Sequence, residues 1–159
     1  MRSKIFLLLI FLLPVIFSFS QSNHVFKNVE KWLPENFNPA NSTLLIQQFE
    51  PEEPKAEKRN EKISSYMQEK YTYQYALAQT DDIVYKGGKY ADKVKYPYAL
   101  MYRHLYKSAG QGGSYSSYDF YFLERTTGIE YPLTSKSSSD PIMTFKPVIN
   151  TIMEKFTTK

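Results

Sequence analysis

The chain has 159 residues, no cysteine and a formal charge of +4, with acidic and basic residues interspersed. The lack of cysteine excludes a disulfide framework, a thiol nucleophile, a cysteine-ligated metal centre and a lipid-bearing cysteine. Without a dense basic face, no nucleic-acid partner is expected.

Met-Arg-Ser-Lys precedes an apolar run from Ile5 to Phe17, and Ser18 and Ser20 occupy the −3 and −1 positions of a cut after Ser20. A basic start, a short apolar run and small residues before the cut form a secretory signal peptide. A membrane span needs about 20 apolar residues, and Pro14 interrupts this shorter run. The expected organisation is a signal peptide at 1–20, an irregular amino-terminal arm at 21–42 and a single domain at 43–159. The mature protein is expected to be secreted or periplasmic, with no stable membrane insertion. Arg2 and Lys4 leave with the signal, so the mature charge falls to +2. About 139 residues remain, enough for one core.

"TLLIQQF" (43–49) is a short apolar run bounded by turn residues, as in a buried strand. "EPEEP" places acids and prolines where a helix begins. From Lys55 to Lys70 the apolar residues Ala56, Ile63, Tyr66 and Met67 recur at helical spacing. "YTYQYAL" (71–77) alternates as a second strand. The polar connection "DDIVYKGGKYADKVK" has room for one helical turn. Tyr96 to Lys107, "YDFYFLER" and "IEYPL" read as three further strands. "SAGQGGSYSS" is a glycine- and serine-rich hairpin loop, and "TTG" a tight turn. The segment "DPIMTFKPVINTIMEKF" carries Ile142, Phe145, Ile149, Ile152 and Phe156 on one helical face, with Pro147 expected in the first turn or at a break. The fold class is α/β of the α+β kind: a mixed sheet of about five strands, two amphipathic helices on one face, in the order β-α-β-β-β-β-α. The first strand–helix–strand unit is expected to be a parallel crossover and the later strands an antiparallel meander.

The succession of "TLLIQQF", a charged helix, a strand, "YFLERTTGIEYPL" and a final amphipathic helix resembles the TolB amino-terminal domain class and related periplasmic envelope proteins over about residues 43 to 156. That resemblance implies envelope assembly and protein–protein contact, and carries no catalytic motif. The signal style and the "SFSQ" junction resemble exported proteins of Bacteroidota.

All fourteen tyrosines lie between Tyr66 and Tyr131. If the helices cover the face bearing Ala76, Met101, Leu105, Phe120 and Phe122, the open face displays Tyr73, Tyr75, Tyr98, Tyr102, His104, Tyr106, Tyr121 and Arg125. Tyrosine suits a surface half apolar and half wet. Such a face serves as cross-strand packing, as an anchor for a protein partner or second copy, or as a stacking platform for a glycan. The candidate binding residues are Tyr98, Tyr102, His104, Tyr121 and Arg125. His104 lacks a nucleophile elbow or a second histidine, so neither hydrolysis nor zinc is indicated. Glu124 and Glu130 flank the "RTTG" turn and are weighed as a carboxylate pair. "KGGKY" and "GQGG" lack the phosphate-loop and dinucleotide spacings. No cofactor is expected. The leading reading is an exported, non-enzymatic protein that contacts an envelope or extracellular protein through the tyrosine face. A glycan-binding module using Tyr98, Tyr102 and Tyr121, and a small hydrolase using His104 with Glu124, are the alternatives.

Overall fold

A computed structural model describes residues 31–85, 87–108, 114–133 and 139–157. The expected signal peptide, His24 and the core of the "SAGQGGSYSS" loop lie outside these residues.

Five strands and three helices follow one another as β1 (Leu44–Gln47), α1 (Ala56–Lys70), β2 (Tyr75–Ala78), α2 (Thr80–Val84), β3 (Tyr98–Ser108), β4 (Ser114–Glu124), β5 (Ile129–Pro132) and α3 (Pro141–Thr157). They form one mixed sheet in the order β2-β1-β3-β4-β5. β1 pairs in parallel with both β2 and β3, whereas β3, β4 and β5 form an antiparallel meander. The expected fold class is therefore observed, with the short α2 as the helical turn anticipated in the polar connection.

β1 has a parallel neighbour on each side and protein on each face, so all four of its residues are buried. Leu44 and Ile46 face α1 and α3, together with Tyr98, Leu100, Tyr102, Tyr118, Phe120 and Phe122. Leu45 faces the other way with Ala99 and Met101, beneath Ile83 and Tyr90 of the connection from β2 to β3. Both faces of the central strands are covered.

The register overturns the expected open face. Met101 lies opposite Tyr121, and Tyr102 lies opposite Phe120, so Met101 and Phe120 belong to opposite faces. An error of one residue in pairing moves a whole set of side chains across the sheet. The helices therefore cover the tyrosine-bearing face of β3: Tyr98 and Tyr102 are only 7% and 6% exposed.

Two further expectations are corrected. The segment 31–42 is irregular, yet it is no loose arm, because Trp32, Leu33 and Phe37 are buried in the main core. Phe37 sets its ring edge-on to Tyr98, Phe122 and Phe156 at centroid distances of 5.1, 4.8 and 5.7 Å. Pro147 neither begins nor breaks α3, which starts with Pro141 and runs on through Pro147. Pro141 takes the first helical position, and Asp140 Oδ1 accepts the Ile142 N–H at 3.1 Å as a cap. The backbone bond that Pro147 cannot make is the one to the carbonyl of Met143, an exposed residue.

Replacing Phe37 with Ala is expected to cost about 3–5 kcal/mol, because a buried ring with three aromatic neighbours leaves a cavity. Urea unfolding checks this: the midpoint should fall while the slope stays constant, although Phe37 lies outside the strand–helix framework.

Candidate functional site

The step in strand length at the centre of the sheet shapes the molecule's most distinctive surface. β1 pairs with β3 only as far as Leu100, and β5 pairs with β4 only from Tyr121 onward. β3 and β4 continue together for seven more residue pairs, from Tyr102–Phe120 to Ser108–Ser114. This two-stranded ribbon runs on for about 20 Å, at roughly 3.3 Å per residue.

The ribbon is anchored at its base. Gln47, the last residue of β1, is buried; its Oε1 accepts the Tyr102 N–H at 2.9 Å, and its Nε2 donates to Thr80 Oγ1 at 2.9 Å. The side-chain amide thus takes over the ladder where the strand ends. On the other edge, the Leu133 N–H donates to the Phe120 carbonyl at 3.1 Å. Asn60 fixes the exit of β1 by accepting the Phe49 N–H at 2.8 Å and donating to the Phe49 carbonyl at 2.9 Å.

Above this base lies a polar and aromatic cluster. The Tyr102 hydroxyl donates to Glu53 Oε1. Glu53 Oε2 stands 3.4 Å from His104 Nδ1. The His104 ring stacks on Tyr118 at 4.5 Å with an interplanar angle of 11°, and leans on Tyr106 at 4.5 Å. Arg59 Nη1 donates to the Tyr118 hydroxyl at 2.7 Å. His104 Nε2 is buried and has no hydrogen-bond partner among the described residues. Beyond the cluster the backbone groups alternate inward and outward. Those of His104 and Tyr106 on one edge, and of Ser116 and Tyr118 on the other, have no backbone partner among the described residues. Tyr106 is 77% exposed and Tyr115, on the opposite face, 51%.

The five sequence-predicted binding residues do not share one surface. Tyr98 and Tyr102 are core residues and His104 stands at the ribbon base. Tyr121 lies on the opposite face, under the Arg103 guanidinium at 4.3 Å and with its hydroxyl 3.8 Å from the Met101 sulfur. Arg125 is 3% exposed; its guanidinium donates to the carbonyls of Ile83 (2.7 Å), Tyr90 (2.6 Å) and Tyr96 (2.5 Å). It holds the β2–β3 connection in place, and burial lowers its pKa.

The proposed pairings of carboxylates also fail. Glu124 lies opposite Ile129 and Glu130 opposite Leu123, so the two acids are on opposite faces of the hairpin. Glu130 pairs with Arg103, whereas Glu124 accepts the Tyr131 hydroxyl. His104 lies opposite Tyr118, six residues along β4 from Glu124, about 20 Å away. The residues that sequence reasoning missed are Gln47, Glu53 and Arg59. A polar residue at the end of an all-buried strand was the one available signal, at Gln47.

Neither a protein-family model nor a curated protein matches the chain. Among the described residues no group of three or more histidine and acidic side chains could hold a metal ion.

Arg125→Met is expected to cost about 3 kcal/mol, since it leaves buried carbonyls unpaired. Limited proteolysis should then cut first within residues 83–97. The phenols give a second expectation. Burial raises the pKa of Tyr102, and donation to the Glu53 carboxylate raises it further; burial also raises Tyr71. The folded state keeps these protons after the unfolded phenols begin to ionise near pH 10. Stability is therefore intact below about pH 10 and falls as pH rises above it. Tyrosinate absorbance and circular dichroism should change together in one alkaline transition; ionisation of Tyr71 and Tyr102 in a protein that stays folded would contradict it.

Proposed function

We propose that this is an exported, non-enzymatic binding protein that engages an envelope or extracellular protein through the β3–β4 ribbon. The single observation that carries the reading is the ribbon itself: paired strands that outrun both neighbours, with outward backbone groups that have no backbone partner among the described residues, and Tyr106 and Tyr115 exposed. Exposed strand edges add extended segments of a partner through main-chain hydrogen bonds, with side chains supplying specificity. Tyrosine is among the residues that dominate interface energetics. The resemblance to envelope domains of the TolB amino-terminal class points the same way.

The alternatives lose their residues. A glycan platform built on Tyr98 and Tyr102 would need two rings that are buried in the core, against Phe37 and Phe49 respectively. Hydrolysis by His104 with Glu124 would need groups about 20 Å apart to act together. A general base must also reach its proton, and His104 has one ring nitrogen against Glu53 and the other buried.

A photoreactive phenylalanine analogue at position 106 or 115 tests this in cells that export the full chain. Both positions are expected to give the same discrete adduct, and an analogue at exposed Tyr85 none. An adduct at twice the chain mass would identify the partner as a second copy. Adducts that do not discriminate between the ribbon and Tyr85 would defeat the reading. Tyr106→Ser with Tyr115→Ser should abolish the interaction while changing stability by about 0.5 kcal/mol or less per site.

A further inference from the structure

We propose that a cleft between the starts of α1 and α3, joined to the ribbon base through the Arg59–Tyr118 bond, binds a phosphate monoester. Lys55, Lys58, Arg59 and Lys62 line this cleft of about 240 Å³, with Asp140 and Ile142 from the start of α3. The positions 55, 58, 59 and 62 recur at i, i+3, i+4 and i+7, which places them on one face of the helix. Glu57 and Glu61 lie on a neighbouring face with Asn60 and Ser64. The helix has sorted its charges by sign.

That sorting is costly in the isolated chain. Lys55–Arg59 and Lys58–Lys62 are like-charge i, i+4 pairs, which destabilise a helix. Lys55 at the N-cap and Lys58 and Arg59 in the first turn of α1 stand where the macrodipole disfavours positive charge. Lys55 occupies the N-cap in a left-handed conformation, at φ 62°, and provides no side-chain cap, where Asn or Asp would satisfy both demands. Among the described residues that line the cleft, the one carboxylate is that of Asp140, which already caps α3. Among the described residues, no ion pair engages any of the four. Arg59 finds Tyr118 and Phe49 inside the fold, but Lys55, Lys58 and Lys62 have no such contact among the described residues. A sequence that breaks several local rules at one place for charges the fold does not pair is organised around something outside it.

The chemistry of the cleft selects the ligand. Arg59 is held by its bond to Tyr118, with its guanidinium 4.7 Å over that ring and 5.2 Å over Phe49. A guanidinium has five N–H donors in a planar fork, so most remain for an oxyanion. The three lysines add point charges that suit phosphate. A carboxylate carries one charge; a phosphate monoester carries nearly two at pH 7, with three acceptor oxygens.

Thermal unfolding of the full mature chain in inorganic phosphate, against chloride at equal ionic strength, tests the site. Phosphate stabilises many folds by exclusion from their surfaces, so the quantity to read is the difference between the parent and Lys58→Gln/Lys62→Gln. At phosphate tenfold above its dissociation constant the parent should gain about 4 °C over that variant's gain. Lys93→Gln/Lys95→Gln should keep the full shift. In chloride the Lys58/Lys62 variant should be at least as stable as the parent, because repulsion has been relieved. Sedimentation with vesicles containing phosphatidic acid or phosphatidylglycerol separates the sources. Binding to the former alone assigns a lipid headgroup, and a thermal shift with no vesicle binding assigns a soluble ester. Equal phosphate shifts in parent and variant, or a variant that melts more than about 4 °C below the parent in chloride, would overturn the proposal.

Discussion

The structure depends on a mismatch of strand lengths. β1 has four residues, and β3 and β4 eleven each. β1 must be short, because it is buried on every side and each residue added there would need partners on two edges and two faces. β3 and β4 pair with each other for their whole length and escape that requirement. Where β1 stops, the exposed ladder of β3 needs a partner, and the Gln47 amide provides it. The turn that follows brings Glu53 down onto Tyr102 and His104. The ribbon is thus a rigid continuation of the core through its base and a two-stranded structure beyond it.

Much of this was legible in the chain because each element announces itself locally. The apolar run at Leu44–Ile46, the helical spacing from Ala56 to Met67 and the turn at Gly128, which adopts φ 78°, are each written within a few residues. What was not legible depends on residues distant in sequence. The face of β3 that receives the helices is decided by pairing with β4, and alternation alone is symmetric between the two assignments. Tyr98 and Tyr102 are chemically suited to either face, since a phenol is content half-wet or buried with a partner. Leucine or isoleucine there would have settled the matter from sequence.

Arg125, Trp32 and Pro147 mislead for a related reason. A charged residue at a strand end reads as solvated, and only the folded chain reveals backbone carbonyls converging on it from 83, 90 and 96. Trp32 sits among turn residues with no periodicity to mark it as core. Pro147 carries a general prohibition, yet α3 runs through it. At Arg125 and Trp32 the local rule is sound and non-local partners outweigh it; at Pro147 the lost bond falls at exposed Met143.

The cationic start of α1 is different in kind. At Arg125 the local rule is broken and the structure supplies the compensation, in three carbonyl acceptors. At the start of α1 the local rules of capping, dipole and pair spacing are broken, and while Arg59 has Tyr118 and Phe49, the cleft offers Lys55, Lys58 and Lys62 the carboxylate of Asp140, which already has work as a helix cap. Packing does not demand these charges either, since Lys55, Lys58 and Lys62 are exposed and α1 buries Ala56, Ile63 and Met67 on its other side. Conflicts that serve neither packing nor capping separate an interaction site from a structural one. The Glu53–Tyr102–His104 cluster differs, because its groups serve packing at the base of the ribbon: Tyr102 donates to Glu53 and the His104 ring stacks on Tyr118, while Glu53 Oε2 and His104 Nε2 are buried without a hydrogen-bond partner among the described residues.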